Sequence, residues 1–327
     1  MADADFSLDA DIHLPSAPTY GFGRCDCRSC GPADADRAPR QPARRLFTGL
    51  LAAGGLGALT PAWAQQQQPA REGVDVGRTS RFTRFVSAEQ IEAAAQQQYT
   101  QMLRQAQAKN ALAGPNEPQL LRLRAIAQRI VPFAESWNPR ARQWRWEVNL
   151  IASRELNAFC MPGGKIAFYY GILQQLQLSD DEVAMIMGHE MAHALREHAR
   201  ERIGKDMAKN GLIELGAAVF GLGNVGRGIA QIGGQLASLS FGREDESEAD
   251  LVGMELAARA GYDPRAGISL WEKMGRASKG APPQFLSTHP SGPTRIKDIE
   301  RTLPQVQGLY ARAPKPAQRF QPPAAKS

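Results

Sequence analysis

The sequence predicts an α+β domain, a mostly helical body with a small β-sheet beside it. Three observations carry that expectation: apolar residues at helical spacing in residues 118–133, a period-two alternation at 144–150, and a capped apolar helix opening at Ser179. Residues 87–112 are rich in Ala, Gln, Leu and Glu with few breakers, which predicts a first helix that Gly114-Pro115 ends. Leu120, Leu123, Ile126, Ala127 and Ile130 share one face of a second helix. Trp144, Trp146, Val148 and Leu150 then alternate with Arg145, Glu147 and Asn149, as in a strand with one buried face. Asn157 to Gly164 reads as a turn-rich link, and Lys165-Ile-Ala-Phe-Tyr-Tyr170 as a second strand. Ser179 with Glu182 forms a capping box, so a helix starts there and continues to about Ile203. Residues 211–240, glycine-rich and apolar but interrupted by Glu214 and Arg227, predict a mobile or partly helical flap rather than a membrane helix. A last helix covers about Glu244 to Ala260, stopped by Gly261 and Pro264.

Ahead of this body the composition changes. Residues 1–43 lack apolar periodicity, and Arg44-Arg45 precede a short apolar run that ends at Ala62-Trp63-Ala64. That order predicts an export signal over residues 1–64 with a long n-region, resembling the twin-arginine type, cleaved after Ala64 to release a periplasmic chain. The run is shorter than the roughly 20 residues a spanning helix needs. A Gln-rich linker follows at 65–84, the folded domain at 85–303, and a Pro- and Ala-rich tail without fixed structure at 304–327. Cys25, Cys27 and Cys30 could bind a metal with His13, yet nothing folded surrounds them; Cys160 alone is left after cleavage, so no intrachain disulfide is expected.

Composition excludes some classes. Hydrophobic residues make up 43% and charged residues 22% of 327, enough to bury a sizeable core. The net charge of +6 is spread over helices without interleaved aromatics, so no nucleic-acid module is expected and only weak peripheral contact with anionic membrane surfaces. No phosphate-binding glycine loop is present, so no nucleotide is expected.

The chemistry lies in His189-Glu190-Met191-Ala192-His193, an H-E-x-x-H motif inside the capped helix. Four-residue spacing puts both imidazoles on one face, one turn apart, where they can share a zinc ion. Glu190 is placed to take a proton from a water that the metal activates. The flanking residues are apolar nearly all round, so these polar groups would be buried without partners unless they served a metal. A third ligand from H-E-x-x-H-x-x-G-x-x-H fails, because Arg196 and Ala199 occupy the required glycine and histidine positions. His198 is one residue off register and reads as exposed or as lying behind the ligands. Glu246 and Asp250, one turn apart on the last helix, offer the alternative: Glu246 to bind metal, Asp250 to accept the far N–H of a ligand histidine. Glu244 and Glu248 read as solvent charge.

With Asn157-Ala-Phe and Pro162-Gly-Gly-Lys-Ile upstream, the pattern resembles the zinc peptidase family of the CAAX prenyl proteases and HtpX, most closely its soluble periplasmic BepA-like and LoiP-like branch. The resemblance covers about Phe85 to Leu303. It implies a gluzincin-type catalytic domain with its sheet beside the active cleft, one Zn2+ on His189, His193 and Glu246, Glu190 as base and Asp250 behind the ligands. It implies that Lys165–Tyr170 is the exposed edge to which an unfolded or extended polypeptide substrate adds as a strand. Thr288-His289-Pro290 with Arg295-Ile296 resembles the family's later motif, whose histidine can reach the metal and hold the site latent; a role on the oxyanion, or none, are the other readings of His289. The helical-repeat domain of BepA has no counterpart in this sequence. The expected function is ATP-independent cleavage of misfolded or unassembled envelope proteins. The alternative is a holdase or assembly factor on the same fold.

Overall fold

The computed structural model describes residues 72–209, 236–278, 284–289 and 294–325. The export signal, Cys25, Cys27, Cys30 and His13, and most of the expected flap (210–235) lie outside the described residues.

Helix α1, Ala88–Ala108, opens on the Ser87 hydroxyl, which accepts the Gln90 N–H. The chain leaves it through Asn110 in the left-handed region, φ 54°. Its buried residues Ile91, Ala95, Tyr99, Met102 and Ala106 form one stripe, and the Tyr99 hydroxyl donates to the Ile166 carbonyl at 2.5 Å, tying the stripe to the sheet. Helix α2, Pro118–Ile130, has proline at its start, where no N–H is needed, and runs on as a tighter 3-10 turn, Val131–Ser136.

Three strands follow: β1, Glu147–Ile151; β2, Ala158–Met161; β3, Lys165–Tyr169. Trp144 and Trp146 precede β1 rather than belonging to it. The link expected at 157–164 is half strand: Ala158-Phe-Cys-Met pairs antiparallel with β3 through a turn whose Gly163 and Gly164 have φ of 83° and 77°. A four-residue strand buried on both faces shows no alternation, which hid it in the sequence.

Sheet order is β1-β3-β2, with β1 parallel to β3. This corrects the expected docking edge. Lys165–Tyr169 is the central strand, buried along its whole length and paired on both sides, so it has no free edge to offer a substrate. The edges belong to β1 and β2. The first is partly covered by an antiparallel bridge from Leu112 to Ile151.

A short helix α3, Tyr170–Gln175, leads to α4, Asp180–Leu195, whose cap is the expected reciprocal pair: Ser179 N–H to Glu182 Oε2 at 2.8 Å and Glu182 N–H to Ser179 Oγ at 3.3 Å. The helix breaks at Glu197, φ 61°, and restarts as α5, His198–Lys209. Beyond the gap come α6, Arg243–Arg259; α7, Ala266–Ala277; α8, Gln284–Thr288; and α9, Arg295–Arg312. Helix α4 is buried nearly all round, between α2, β2, α6 and α7.

Two boundaries move. Helix α9 passes residue 303 and ends at Arg312, and 313–325 lies as an extended strap: Phe320 N–H donates to Asp180 Oδ2 at 2.8 Å, Gln119 Nε2 to Gln321 O at 3.1 Å, and Gln177 Nε2 to Pro323 O at 2.8 Å. A Pro-rich chain leaves its carbonyls free for side-chain donors, so composition that forbids helix or sheet does not forbid docking. At the other end, Val74 is buried with its N–H on Glu255 Oε2 at 2.8 Å, and residues 81–85 form a 3-10 turn, so the second half of the expected linker belongs to the domain. Among the described residues no helix is long and apolar enough to cross a membrane.

Candidate metal centre

Helices α4 and α6 cross at a glycine on each. A Cβ on Gly188 would stand 2.7 Å from the Gly253 carbonyl oxygen, and one on Gly253 would stand 2.6 Å from the His189 nitrogen. The backbones therefore touch, and the first turns of α6 lie against the motif face of α4. His289 arrives from the end of α8, and Arg295 opens α9.

Four buried side chains converge: His189, His193, Glu246 and His289 offer donor atoms that all lie within 4.8 Å of one another. His189 Nε2 is 3.1 Å from His193 Nε2 and 3.3 Å from His289 Nδ1, and each α4 histidine Nε2 is 3.5 Å from a Glu246 oxygen. Ligands about 2.0–2.1 Å from a tetrahedral zinc ion stand roughly 3.3 Å apart. The donor set fits that geometry and that metal, three imidazole nitrogens and one carboxylate oxygen.

The supporting contacts are ionic. His189 Nδ1 meets Asp250 Oδ1 at 3.0 Å. Arg295 grips Asp250 with both arms, Nε to Oδ2 at 2.7 Å and Nη2 to Oδ1 at 2.6 Å, and reaches Glu246 Oε2 with Nη1 at 2.8 Å. Its guanidinium lies 3.6 Å above the Trp271 ring. Aromatic faces fix two ligands: Phe241 stacks on His193 at 4.0 Å and Phe285 on His289 at 4.6 Å.

Charge is distributed unevenly between the two histidines of α4. Burial opposes charge on His189, but Asp250 and Glu246 outweigh it and take its pKa up to about 9. Burial, then repulsion from His189, keeps His193 far below its ordinary value and neutral. Burial likewise opposes ionisation of Glu246, yet His189 and His289 hold it well below the usual carboxylate range. A metal arriving here displaces a proton from His189. Zinc affinity is therefore expected to fall about tenfold per pH unit as pH drops below 9, the slope of one displaced proton. Chelator competition at pH 6, 7 and 8 measures it, and a flat profile would contradict the assignment.

Glu190 stands apart. It is 2% exposed, burial pushes its carboxyl above the ordinary range, and its Oε1 has no hydrogen-bond partner among the described residues although His289 Nε2 lies 3.4 Å away.

A family model described as Peptidase family M48 matches residues 119–303, more than half of the chain and the whole of this centre. The chain belongs to peptidase family M48. Among its relatives, the "Mitochondrial metalloendopeptidase OMA1" of Schizosaccharomyces pombe is 37% identical over 166 residues, 50% of this chain and 48% of that protein. The Arabidopsis thaliana protein of the same name is 38% identical over 152 residues, 46% of this chain and 30% of that protein. The "Beta-barrel assembly-enhancing protease" of Escherichia coli (strain K12) is 25% identical over 286 residues, 84% of this chain and 55% of that protein. The chain spans about half or less of the length of these curated relatives. Helix α1 and the C-terminal strap lie outside the M48 match.

The M48 centre brings together the six residues expected to carry the chemistry: His189, Glu190, His193, Glu246, Asp250 and His289. Of the two readings of His198, exposed or behind the ligands, the second holds: it is 1% exposed, with Nδ1 at 2.9 Å from His193 Nδ1. Glu248 is corrected, being paired with Arg196 rather than lying free in solvent. Arg295 carried no expected role, although an arginine beside two buried acids is the counter-charge such a pair needs.

Proposed function

We propose that this chain is a zinc-dependent endopeptidase that cleaves unfolded or unassembled polypeptides of the cell envelope without ATP. The observation that carries the reading is the buried four-donor cluster with Glu190 beside it, whose Oε1 has no hydrogen bond among the described residues. His189, His193 and Glu246 would hold the ion. Zinc bound there supplies a Lewis acid that polarises the scissile carbonyl and makes water acidic. Glu190, its carboxyl raised by burial, takes the proton of the attacking water and returns it to the leaving amine. Cleavage of casein by the zinc-loaded chain, stopped by a chelator and restored by zinc, tests this; binding of casein without cleavage would favour a holdase.

The substrate edge we assign is β2, the strand lying against α4. Asn157 turns its carbonyl inward to Tyr169 N–H at 3.0 Å, so Ala158 and Cys160, alternating with it, turn theirs outward. Leu156 O, where this edge begins, is taken by the Phe285 N–H at 3.0 Å. Helix α8 thus occupies the start of the edge with Phe285 while placing His289 among the ligands. That arrangement supports the latch reading. His289→Ala is expected to raise basal casein cleavage several-fold with zinc content unchanged; a fall in rate would instead make His289 a partner of the oxyanion.

Export through the twin-arginine route to the periplasm remains part of this reading, supported by Arg44-Arg45 and the short apolar run after them. Cell fractionation with N-terminal sequencing of the mature chain checks it.

A further inference from the structure

We propose that His198 is a positioning residue that fixes the tautomer and ring orientation of His193 through a nitrogen-to-nitrogen hydrogen bond. The inference rests on the zinc reading above. Metal-binding histidines use their second ring nitrogen as a donor to a fixed acceptor, which sets both tautomer and rotation. His189 has Asp250 for this purpose. His193 has no carboxylate at its Nδ1; among the described residues its partner there is His198 Nδ1, at 2.9 Å.

Two imidazole nitrogens facing each other must divide their roles, one donating and the other accepting. His193 turns Nε2 toward the ligand cluster, so its proton is on Nδ1 and it donates. His198 Nδ1 then accepts, which places the His198 proton on Nε2. The surroundings of that Nε2 favour this state. It is buried with no hydrogen-bond partner among the described residues, and Glu248 Oε2 lies 3.8 Å away. That is too long for a hydrogen bond, but a carboxylate at this range favours N–H over a lone pair. Glu248 is in turn held by Arg196, whose Nη2 donates to Gly77 O at 3.0 Å.

The chain break at Glu197 makes this contact available. On an unbroken helix a residue five positions after His193 would leave the ligand face. The left-handed Glu197, φ 61°, ends α4 and swings the first residue of α5 back beside His193. The His193 ring is then clamped between the face of Phe241 and the edge of His198.

The test is zinc affinity of the full chain, measured by competition with a chromophoric chelator, in His198→Leu and His198→Asn. Leucine fills the space without an acceptor and is expected to weaken zinc roughly 10- to 100-fold. Asparagine places Oδ1 where Nδ1 stands and is expected to bind zinc close to the parent. Equal affinity of the leucine variant and the parent, or an asparagine variant as weak as leucine, would overturn the assignment. Ring-nitrogen NMR of the zinc-loaded parent decides it without any variant: a neutral His198 protonated at Nε2 is expected, and a proton on its Nδ1 would sink it. A parent chain that binds no zinc would overturn the metal reading itself, and this inference with it.

Discussion

Glu190→Gln is expected to lower the rate of peptide hydrolysis by on the order of 100-fold or more, the range for loss of a general base, with zinc content unchanged. Glutamine matches the shape of glutamate and removes only the proton acceptor. None of the four converging donors is touched, since Glu190 is not among them. Stability carries an independent check. Burial raises the Glu190 carboxyl, so folding is penalised whenever that group is ionised, and the penalty is present at pH above its raised value. The neutral variant is expected to melt at or above the parent temperature at neutral pH. Hydrolysis measured beside metal content and thermal unfolding separates the cases: a variant as active as its parent would remove Glu190 from the mechanism.

The second large effect is on folding. Arg295→Ala is expected to cost about 3–5 kcal/mol of unfolding free energy, the scale for leaving buried charge without its partner. Arg295 is 4% exposed and neutralises two acids, Glu246 and Asp250, that are themselves almost fully buried. Arg295→Lys is not expected to restore the parent, because an ammonium cannot span both carboxylates as the fork does. Denaturant unfolding of the metal-free chain measures this. A loss below about 1 kcal/mol would mean the three groups are solvated like a surface pair.

The reactive centre was legible because its chemistry is written in local spacing. H-E-x-x-H sets two histidines one turn apart with a glutamate between them by helical spacing alone, and Glu246 with Asp250 repeats the spacing on a later helix. Capping made the start of α4 readable to the residue. What escaped depends on tertiary contact. Strand β2 is too short and too buried to alternate, and its absence from the expected sheet turned β3 from a centre into an edge. The His198 contact needs a single left-handed residue at Glu197, which is not a glycine and gives no signal. Arg295 follows Pro290-Ser-Gly-Pro293 in the sequence, which gives no partner for it, and only the packing of α9 on α6 shows which acids it serves.

The bare crossing of Gly188 over Gly253 also bears on when the chain becomes dangerous to its neighbours. The two histidines of α4 and the glutamate of α6 that could share an ion are separated by more than fifty positions, and they meet only where the two helices close to backbone contact. Neither segment alone can hold the ion with three ligands. The donor cluster therefore exists only once α4 and α6 have packed, and a chain in which they have not yet closed lacks it. Even one methyl group at either crossing point would hold the helices apart, which makes safe handling of a protease a matter of two missing side chains.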